Sequence, residues 1–385
     1  MPPSSSKLRI GVDARVLMNN RHGGVGEYTS CLLEEMVRMA PQHEFHLFLN
    51  SMRFSGEDFL ETLPPNCIPH IFRVPNKAFS LLHKFFYRPR LDALIGGIDV
   101  WWSPHFLPAP VSCPKVLTIH DLSFLYYPEM FDLKRRLWHA MVNPKHEAQT
   151  ARKIIAVSRS TADDISNKWE ISSEKIEVIY SGVGENFSAV RNAQELESAR
   201  KKYHLPQKFI LFFGVIEPRK NLAGLVRAFD YMRSQHPQEK TALVIAGSKG
   251  WSSRSLFETI YISPYRNDIY CIGFVDDQDK AALYSMAEIF VYPSFFEGFG
   301  FPPLEAMACG TPVVASHVAS LPEIVQEAGI LVDPLRLEEV AFAMGELLRD
   351  DELRVSLREK GLAQAKKFRW EEAARRTLNV LEETV

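Results

Sequence analysis

The sequence predicts an α/β protein made of two doubly wound domains, each a parallel sheet covered by helices. Three observations carry this. Short Val- and Ile-rich runs recur along the chain without polar alternation, which suits strands buried on both faces of a parallel sheet. Helical patterns separate the runs, as right-handed βαβ connections require. The chain has 385 residues, more than one ordinary core organises, and one polar stretch without a strand pattern, 181–207, splits the runs into two series.

In the first series the strands are expected at 8–14 (LRIGVDA), 44–50 (EFHLFLN), 99–103 (DVWWS), 115–121 (KVLTIHD), 153–158 (KIIAVS) and 175–180 (KIEVIY). The second series runs through 209–214 (FILFFG), 242–247 (ALVIAG), 268–273 (DIYCIG), 289–294 (IFVYPS), 311–316 (TPVVAS) and 329–333 (GILVD). The expected domains are 1–182 and 183–362, with 363–385 a separate amphipathic helical end. Open α/β sheets bind ligands beyond the carboxyl ends of their strands. Two such domains would face each other across a central cleft, and candidate residues are sought at the strand ends.

Composition narrows the function classes. Hydrophobic residues make up 46% and charged residues 24%, as in soluble globular proteins. The formal charge is −2, from 45 basic and 47 acidic residues. No nucleic-acid partner is therefore expected, and an anionic ligand must be met by a local site. There is no apolar signal core at the N-terminus and no run of about 18 apolar residues. The five cysteines, Cys31, Cys67, Cys113, Cys271 and Cys309, match neither a disulfide framework nor a metal knuckle. A cytoplasmic location is expected.

The most informative stretch is SFFEGFGFPPLEAMACGTPVVAS, residues 294–316. It reads as a strand, a glycine-containing loop, and a helix with proline in its first turn and Gly310 as its stop. Backbone N–H groups and the positive dipole end at such a helix start favour phosphate. Glu297 falls on the loop and Glu305 in the expected first helical turn, so the two carboxylates can accept hydrogen bonds from different hydroxyls of one ligand. The plainer alternative is that Glu305 complements the dipole and Glu297 is solvated. In FFGVIEPRKNLAGL, Arg219 and Lys220 lie between a strand ending at Gly214 and a helix starting near Asn221. Positive charge opposes the dipole there, and a bound diphosphate would account for it, Arg gripping bidentately and Lys as a point charge. Gly23, Gly24 and Gly26 offer backbone that can approach a ligand closely. His120 and Asp121 sit at a strand end. Ser158 does too, as a ligand contact or as a helix N-cap. The cluster DDQD at 276–279 is read as helix capping rather than as a metal site.

Together GVDAR with GGVGEYT, TIHDLSF, VSRST, SGVGENF, EPRKN, the long 273–316 stretch and the terminal FRWEEAA resemble the retaining glycosyltransferases of family 4, whose fold is GT-B with two Rossmann-like domains. Within that family the chain is most similar to bacterial mannosyltransferases of polysaccharide and O-antigen assembly. The resemblance implies an N-terminal acceptor domain, a C-terminal nucleotide-sugar domain, and a last helix that crosses back to the first. It places Glu297 on the donor sugar and Glu305 on the ribose. The backbone of Phe299, Gly300 and Phe301 would face the sugar, with Pro303 and Leu304 near the phosphates. Arg219 and Lys220 would bind the diphosphate, the base would sit by Gly273 and Phe274, and Gly23, Gly24 and Gly214 would line the donor. His120 would face the transferred sugar, with Ser158 nearby. Many relatives carry arginine where this chain has Val215, so the diphosphate charge here rests on Arg219 and Lys220. GDP-mannose is the expected donor, with UDP-glucose or another nucleotide sugar, or binding without turnover, as alternatives. The nucleotide sugar is a substrate, and neither a cofactor nor a metal is expected. The acceptor is expected to be a glycan or lipid-linked glycan. Segments 76–94 and 124–153 mix aromatic and basic residues, which suits peripheral contact with the inner face of a membrane, ordinary solvated helices, or a subunit contact.

Overall fold

The computed structural model describes residues 7–18, 23–52, 63–75, 79, 82 and 86–385. The chain forms two units. The first comprises Met1–Tyr126, Leu133–Gly182 and Arg369–Val385; the second comprises Tyr127–Asp132 and Val183–Phe368.

Among its described residues the first unit holds seven parallel strands: β1 (Arg9–Asp13), β2 (Glu44–Asn50), β3 (Cys67–Phe72), β4 (Val100–Ser103), β5 (Lys115–Ile119), β6 (Lys153–Ala156) and β7 (Ile176–Val178). Their order is β3-β2-β1-β4-β5-β6-β7. Ile10, Val12, Leu47, Val100, Trp101, Trp102, Val116 and Ile155 are completely buried, as non-alternating runs demand. β3 is the strand that sequence reading omits. Its side chains alternate between covered and exposed, and Pro69 interrupts its pattern. Proline cannot donate to a ladder, so it belongs on an edge, and β3 pairs only through β2.

The second unit holds β8 (Phe209–Phe213), β9 (Ala242–Ala246), β10 (Ile269–Gly273), β11 (Ile289–Tyr292), β12 (Val313–Ser316) and β13 (Gly329–Val332), in the order β10-β9-β8-β11-β12-β13. Each sheet reverses its strand order once, between β1 and β4 and between β8 and β11. These reversals are the topological switch points where open α/β sheets gather ligand-binding loops.

The end of the chain departs from expectation in its start. Residue 363 lies inside the Asp351–Ala365 helix of the second unit, and the return to the first unit begins at Arg369. The Trp370–Thr384 helix buries Trp370, Ala373, Ala374, Leu378, Val380 and Leu381. It packs on the Gly24–Met39 helix and on β4, β5 and β6. At Gly182 a side chain would come within 2.3 Å of the Trp370 backbone nitrogen, so the helix start needs a glycine beside it. No helix among the described residues is long and apolar enough to cross a membrane.

Candidate functional site: a buried acid–base cluster at the second switch point

β8 ends at Phe213, and Gly214 turns away with φ of +149°. Its N–H donates to the Ala246 carbonyl at 3.0 Å. The chain then makes a short 3-10 turn, Pro218–Lys220, before Asn221 opens the Leu222–Gln235 helix. Across the switch point β11 ends at Tyr292. The Phe295 N–H donates to the Arg219 carbonyl at 2.8 Å, and Ser294 Oγ, 3.1 Å from the same carbonyl, donates to Glu297 Oε1 at 2.5 Å. These bonds join the two loops and set the position of Glu297.

Glu297, Lys220 and Glu217 are all nearly buried, at 7%, 7% and 6% exposure. Lys220 Nζ donates to Glu297 Oε1 at 2.6 Å and to the Tyr292 hydroxyl at 2.5 Å. Arg219 donates through Nε and Nη2 to Glu217 Oε1 at 3.1 and 2.8 Å, and through Nη1 to the Phe296 carbonyl at 2.8 Å. Its Nη1 also reaches Glu297 Oε2 at 3.4 Å. Buried charges are tolerable only when paired and hydrogen-bonded, and here two cations face two carboxylates. Burial alone would raise the Glu297 carboxyl, but the adjacent Lys220 and Arg219 outweigh it and hold it below the ordinary carboxylate range. Arg219 and Lys220, 78 and 77 positions before Glu297, thus converge on it. With Glu217 the cluster balances two positive charges against two negative ones.

The loop after Glu297 is pinned by Ser320, whose hydroxyl lies 2.6 Å from the Phe299 carbonyl and 3.0 Å from that of Glu297. Gly300 has φ of +116°, and a β-carbon there would come within 2.8 Å of Leu321 Cδ2. The Phe301–Ala308 helix starts from it. Glu305 therefore lies in the second helical turn, not the first, because Gly300 begins the helix before the proline pair. It is buried, and Tyr284 donates to its Oε2 at 2.7 Å. Burial and the Glu305 charge push the Tyr284 phenol well above its ordinary value. Pro302 and Pro303 carry no N–H, so of residues 301–303 only Phe301 has an amide to offer an anion. Leu304 is completely buried and Phe299 nearly so, which leaves them their backbones rather than their side chains for a ligand.

Gly273 ends β10 with φ of +75° and open space around it. Phe274, next in the chain, is 55% exposed, and Val215 is 44% exposed beyond β8. Asp276 makes no side-chain cap to the Asp277–Met286 helix. Instead Asp276 and Asp279 bind Lys202 Nζ at 2.6 and 2.5 Å, so the DDQD cluster is an ion-pair site and not the helix cap expected. Among the described residues no group of three or more His, Cys, Asp or Glu side chains is placed to hold a metal ion.

In the first unit Gly23 and Gly24 form the start of the Gly24–Met39 helix. His120 follows β5, its Nε2 lying 2.8 Å from the Pro104 carbonyl and its ring edge-on to Tyr28 at 4.7 Å. Burial lowers the His120 imidazole, the Pro104 carbonyl and Asp121 opposing in part. Ser158 is completely buried and caps the Arg159–Trp169 helix, accepting from the Thr161 N–H at 3.1 Å. Thr161 in turn donates to the His120 carbonyl at 3.2 Å. Of the two readings of Ser158, this geometry is the capping one. Sequence reasoning missed Glu217, Tyr292, Ser294 and Ser320 as members of the second unit's cluster. Glu217 had a signal, an acid two positions before Arg219; Tyr292 had none, standing inside an apolar strand.

Two family descriptions match the chain in succession: Glycosyltransferase Family 4 over residues 22–186 and Glycosyl transferases group 1 over residues 194–364. The O-antigen chain mannosyltransferase B of Escherichia coli is 30% identical over 92% of this chain and 95% of its own length. The chain belongs to glycosyltransferase family 4. Solved structures give the family 4 chain the GT-B fold. It superposes on sucrose-phosphate synthase from Thermosynechococcus elongatus with a TM-score of 0.75, at 21% identity over 98% of this chain and 99% of the other. Anabaena HepE in complex with UDP and glucose superposes with a TM-score of 0.72, at 18% identity over 97% and 99% of the two chains. As a family 4 member with a mannosyltransferase relative over 92% of its length, the protein is a glycosyltransferase.

Proposed function

We propose that this glycosyltransferase moves a hexose, mannose before others, from a nucleotide sugar to a glycan or lipid-linked glycan, retaining the anomeric configuration and using no metal. The observation that carries the reading is the buried cluster of Arg219, Lys220 and Glu297 at the second unit's switch point. Two cations held in low dielectric are preorganised for an anion, and preorganised charge is the strongest device for stabilising a leaving group. A diphosphate entering there exchanges carboxylate oxygens for phosphate oxygens on Arg219 and Lys220. Glu297 is then released to accept hydrogen bonds from sugar hydroxyls.

In the proposed step the bond from the anomeric carbon to the diphosphate oxygen breaks, and its electron pair leaves with the diphosphate. The acceptor hydroxyl adds to the same face. Its proton passes to the departing phosphate oxygen. A glycosidase scheme needs one carboxyl as nucleophile or base and a second as acid, about 5–5.5 or 6.5–9.5 Å apart. Glu297 is proposed to accept from sugar hydroxyls and Glu305 accepts from a phenol, so neither is assigned that part. Glu305 is proposed for the ribose and His120 for the transferred sugar. Mannose is favoured by the E. coli relative. For a lipid-linked acceptor, Leu133 and Leu137 stand 69% and 61% exposed beside Lys134 and Arg136, a composition suited to an anionic membrane surface. Most of 76–85 lies outside the described residues.

The test is thermal-shift screening with GDP-, UDP-, ADP- and TDP-sugars, followed by assay for released nucleoside diphosphate. A donor at a hundred times its Kd adds about 2.7 kcal/mol to the folded state, so one series should raise Tm clearly above the rest, with GDP-mannose expected first. No shift with any sugar nucleotide, together with no diphosphate release, overturns the proposal. Binding without release under every acceptor tried would make the protein a sensor.

A further inference from the structure

Lys220 poses a problem that its expected role does not solve. Its ammonium is held by Glu297, yet Glu297 is the group expected to turn to the sugar. If Glu297 were the sole anchor, donor binding would cut Lys220 loose at the moment its charge is needed. The second bond answers this. Tyr292 Oη lies 2.5 Å from Lys220 Nζ, and the ammonium stands 4.9 Å from the Tyr292 ring centre. The hydroxyl is a neutral acceptor, so it directs the ammonium without cancelling its charge. Burial and the Glu297 carboxylate push the phenol well above its ordinary value, so it stays protonated. The ring itself is fixed: it is 1% exposed and stacks between Phe212 at 5.5 Å and Phe290 at 5.8 Å. Among the described residues Glu297 and Tyr292 are the only hydrogen-bond partners of Lys220 Nζ, which leaves the third ammonium N–H for a ligand oxygen.

We propose that Tyr292 is a positioning residue for donor binding: its hydroxyl holds the Lys220 ammonium in place when Glu297 exchanges that ammonium for the sugar. The inference rests on the reading of Lys220 as a diphosphate ligand. Removing the hydroxyl leaves Lys220 with Glu297 alone, so the pair tightens on itself and competes with phosphate.

Calorimetry with GDP and UDP on the full chain tests this through four proteins: the native chain, Tyr292→Phe, Lys220→Ala and the double variant. Tyr292→Phe is nearly isosteric, and Lys220→Met keeps the stem volume should the alanine variant not fold. For whichever diphosphate binds the native chain, Tyr292→Phe should weaken it about tenfold and Lys220→Ala by more. If Tyr292 acts through the ammonium rather than through its own hydrogen bond to Glu297, the double variant should bind no more weakly than Lys220→Ala. A merely structural tyrosine would give losses that add, and that result overturns the inference. So does affinity within twofold of native in Tyr292→Phe while Lys220→Ala binds poorly; the diphosphate role of Lys220 then survives. If instead Lys220→Ala and Lys220→Met bind as tightly as the native chain, the underlying reading of the site fails.

Discussion

Glu297 and Glu305 share a chemistry, a loop-helix segment and near-complete burial, yet their neighbours give them opposite settings. Glu297 faces two cations and Glu305 a phenol that stays protonated. Histidines show the same dependence on surroundings. His105, after β4, has a buried Nδ1 with no hydrogen-bond partner among the described residues. Burial, then the nearby His120, push its imidazole down to about 3. His120 is lowered as well. Below the ordinary value of 6.5 the unfolded chain takes up protons that the folded chain refuses, so stability falls as pH falls from 6.5 towards the folded values. Each such histidine contributes a slope of up to about 1.4 kcal/mol per pH unit in that window. Denaturant unfolding at pH 7.5, 6 and 5 should show the decline, and His105→Phe should flatten it by close to one proton. An unchanged slope in the variant would assign the loss to other groups.

At the level of elements, the glycines ending neighbouring strands look alike in sequence and differ in consequence. Gly247, beyond β9, has φ of +133°, and a β-carbon there would lie 1.9 Å from the Gly214 carbonyl oxygen. Backbone cannot yield as a flexible side chain can, so Gly247→Ala must push apart the ends of β8 and β9, beside the turn that carries Arg219 and Lys220. Gly273 has φ of +75° but nothing within 4 Å. Gly273→Ala therefore costs only the left-handed backbone, roughly 1–2 kcal/mol, whereas Gly247→Ala should cost more than about 3 kcal/mol through strain and lost packing. Urea midpoints of the two variants give the comparison, and equal losses would refute the clash argument. The same contrast explains what could be read in advance. Strands buried on both faces announce themselves by composition, as IFVY and ALVIA do. β3 does not, because an edge strand with Pro69 and an exposed face loses both the apolar run and the alternation. Within the site, Arg219, Lys220 and Glu297 were legible because charge at a strand end has few structural reasons to be there. Tyr292 was hidden because an aromatic inside an apolar strand ordinarily means core, and its partner lies 72 positions away.

At the level of the whole molecule, apart from the short excursion at Tyr127–Asp132, the chain passes from the first unit to the second after Gly182 and returns at Arg369. The two passages are tied together, the Val183 N–H donating to the Phe368 carbonyl at 3.1 Å. The segment beyond Phe368 belongs to the first unit alone. The Trp370–Thr384 helix covers β4, β5 and β6, and its His43–Glu382 contact at 2.9 Å and Arg376–Glu177 pair lie at its rim. The partly exposed Arg376–Glu177 ion pair contributes at most about 1 kcal/mol and a hydrogen bond such as His43–Glu382 about 0.5–1.5 kcal/mol, so the apolar face decides. Burying a large apolar side chain is worth about 1.5–3 kcal/mol; for Trp370, Leu378, Val380 and Leu381 this sums to roughly 6–12 kcal/mol. That is comparable with the whole stability of a domain, about 5–15 kcal/mol. Truncation after Phe368 should therefore unfold the first unit and spare the second, whose strands and acid–base cluster lie within Val183–Phe368. Hydrogen exchange resolved by peptide reads this directly. Protection should be lost in β4 to β6 and kept in β8 to β12, and the truncated chain should still bind nucleoside diphosphate while transferring no sugar. Retained protection across β4 to β6 would mean that the first sheet stands without its last helix.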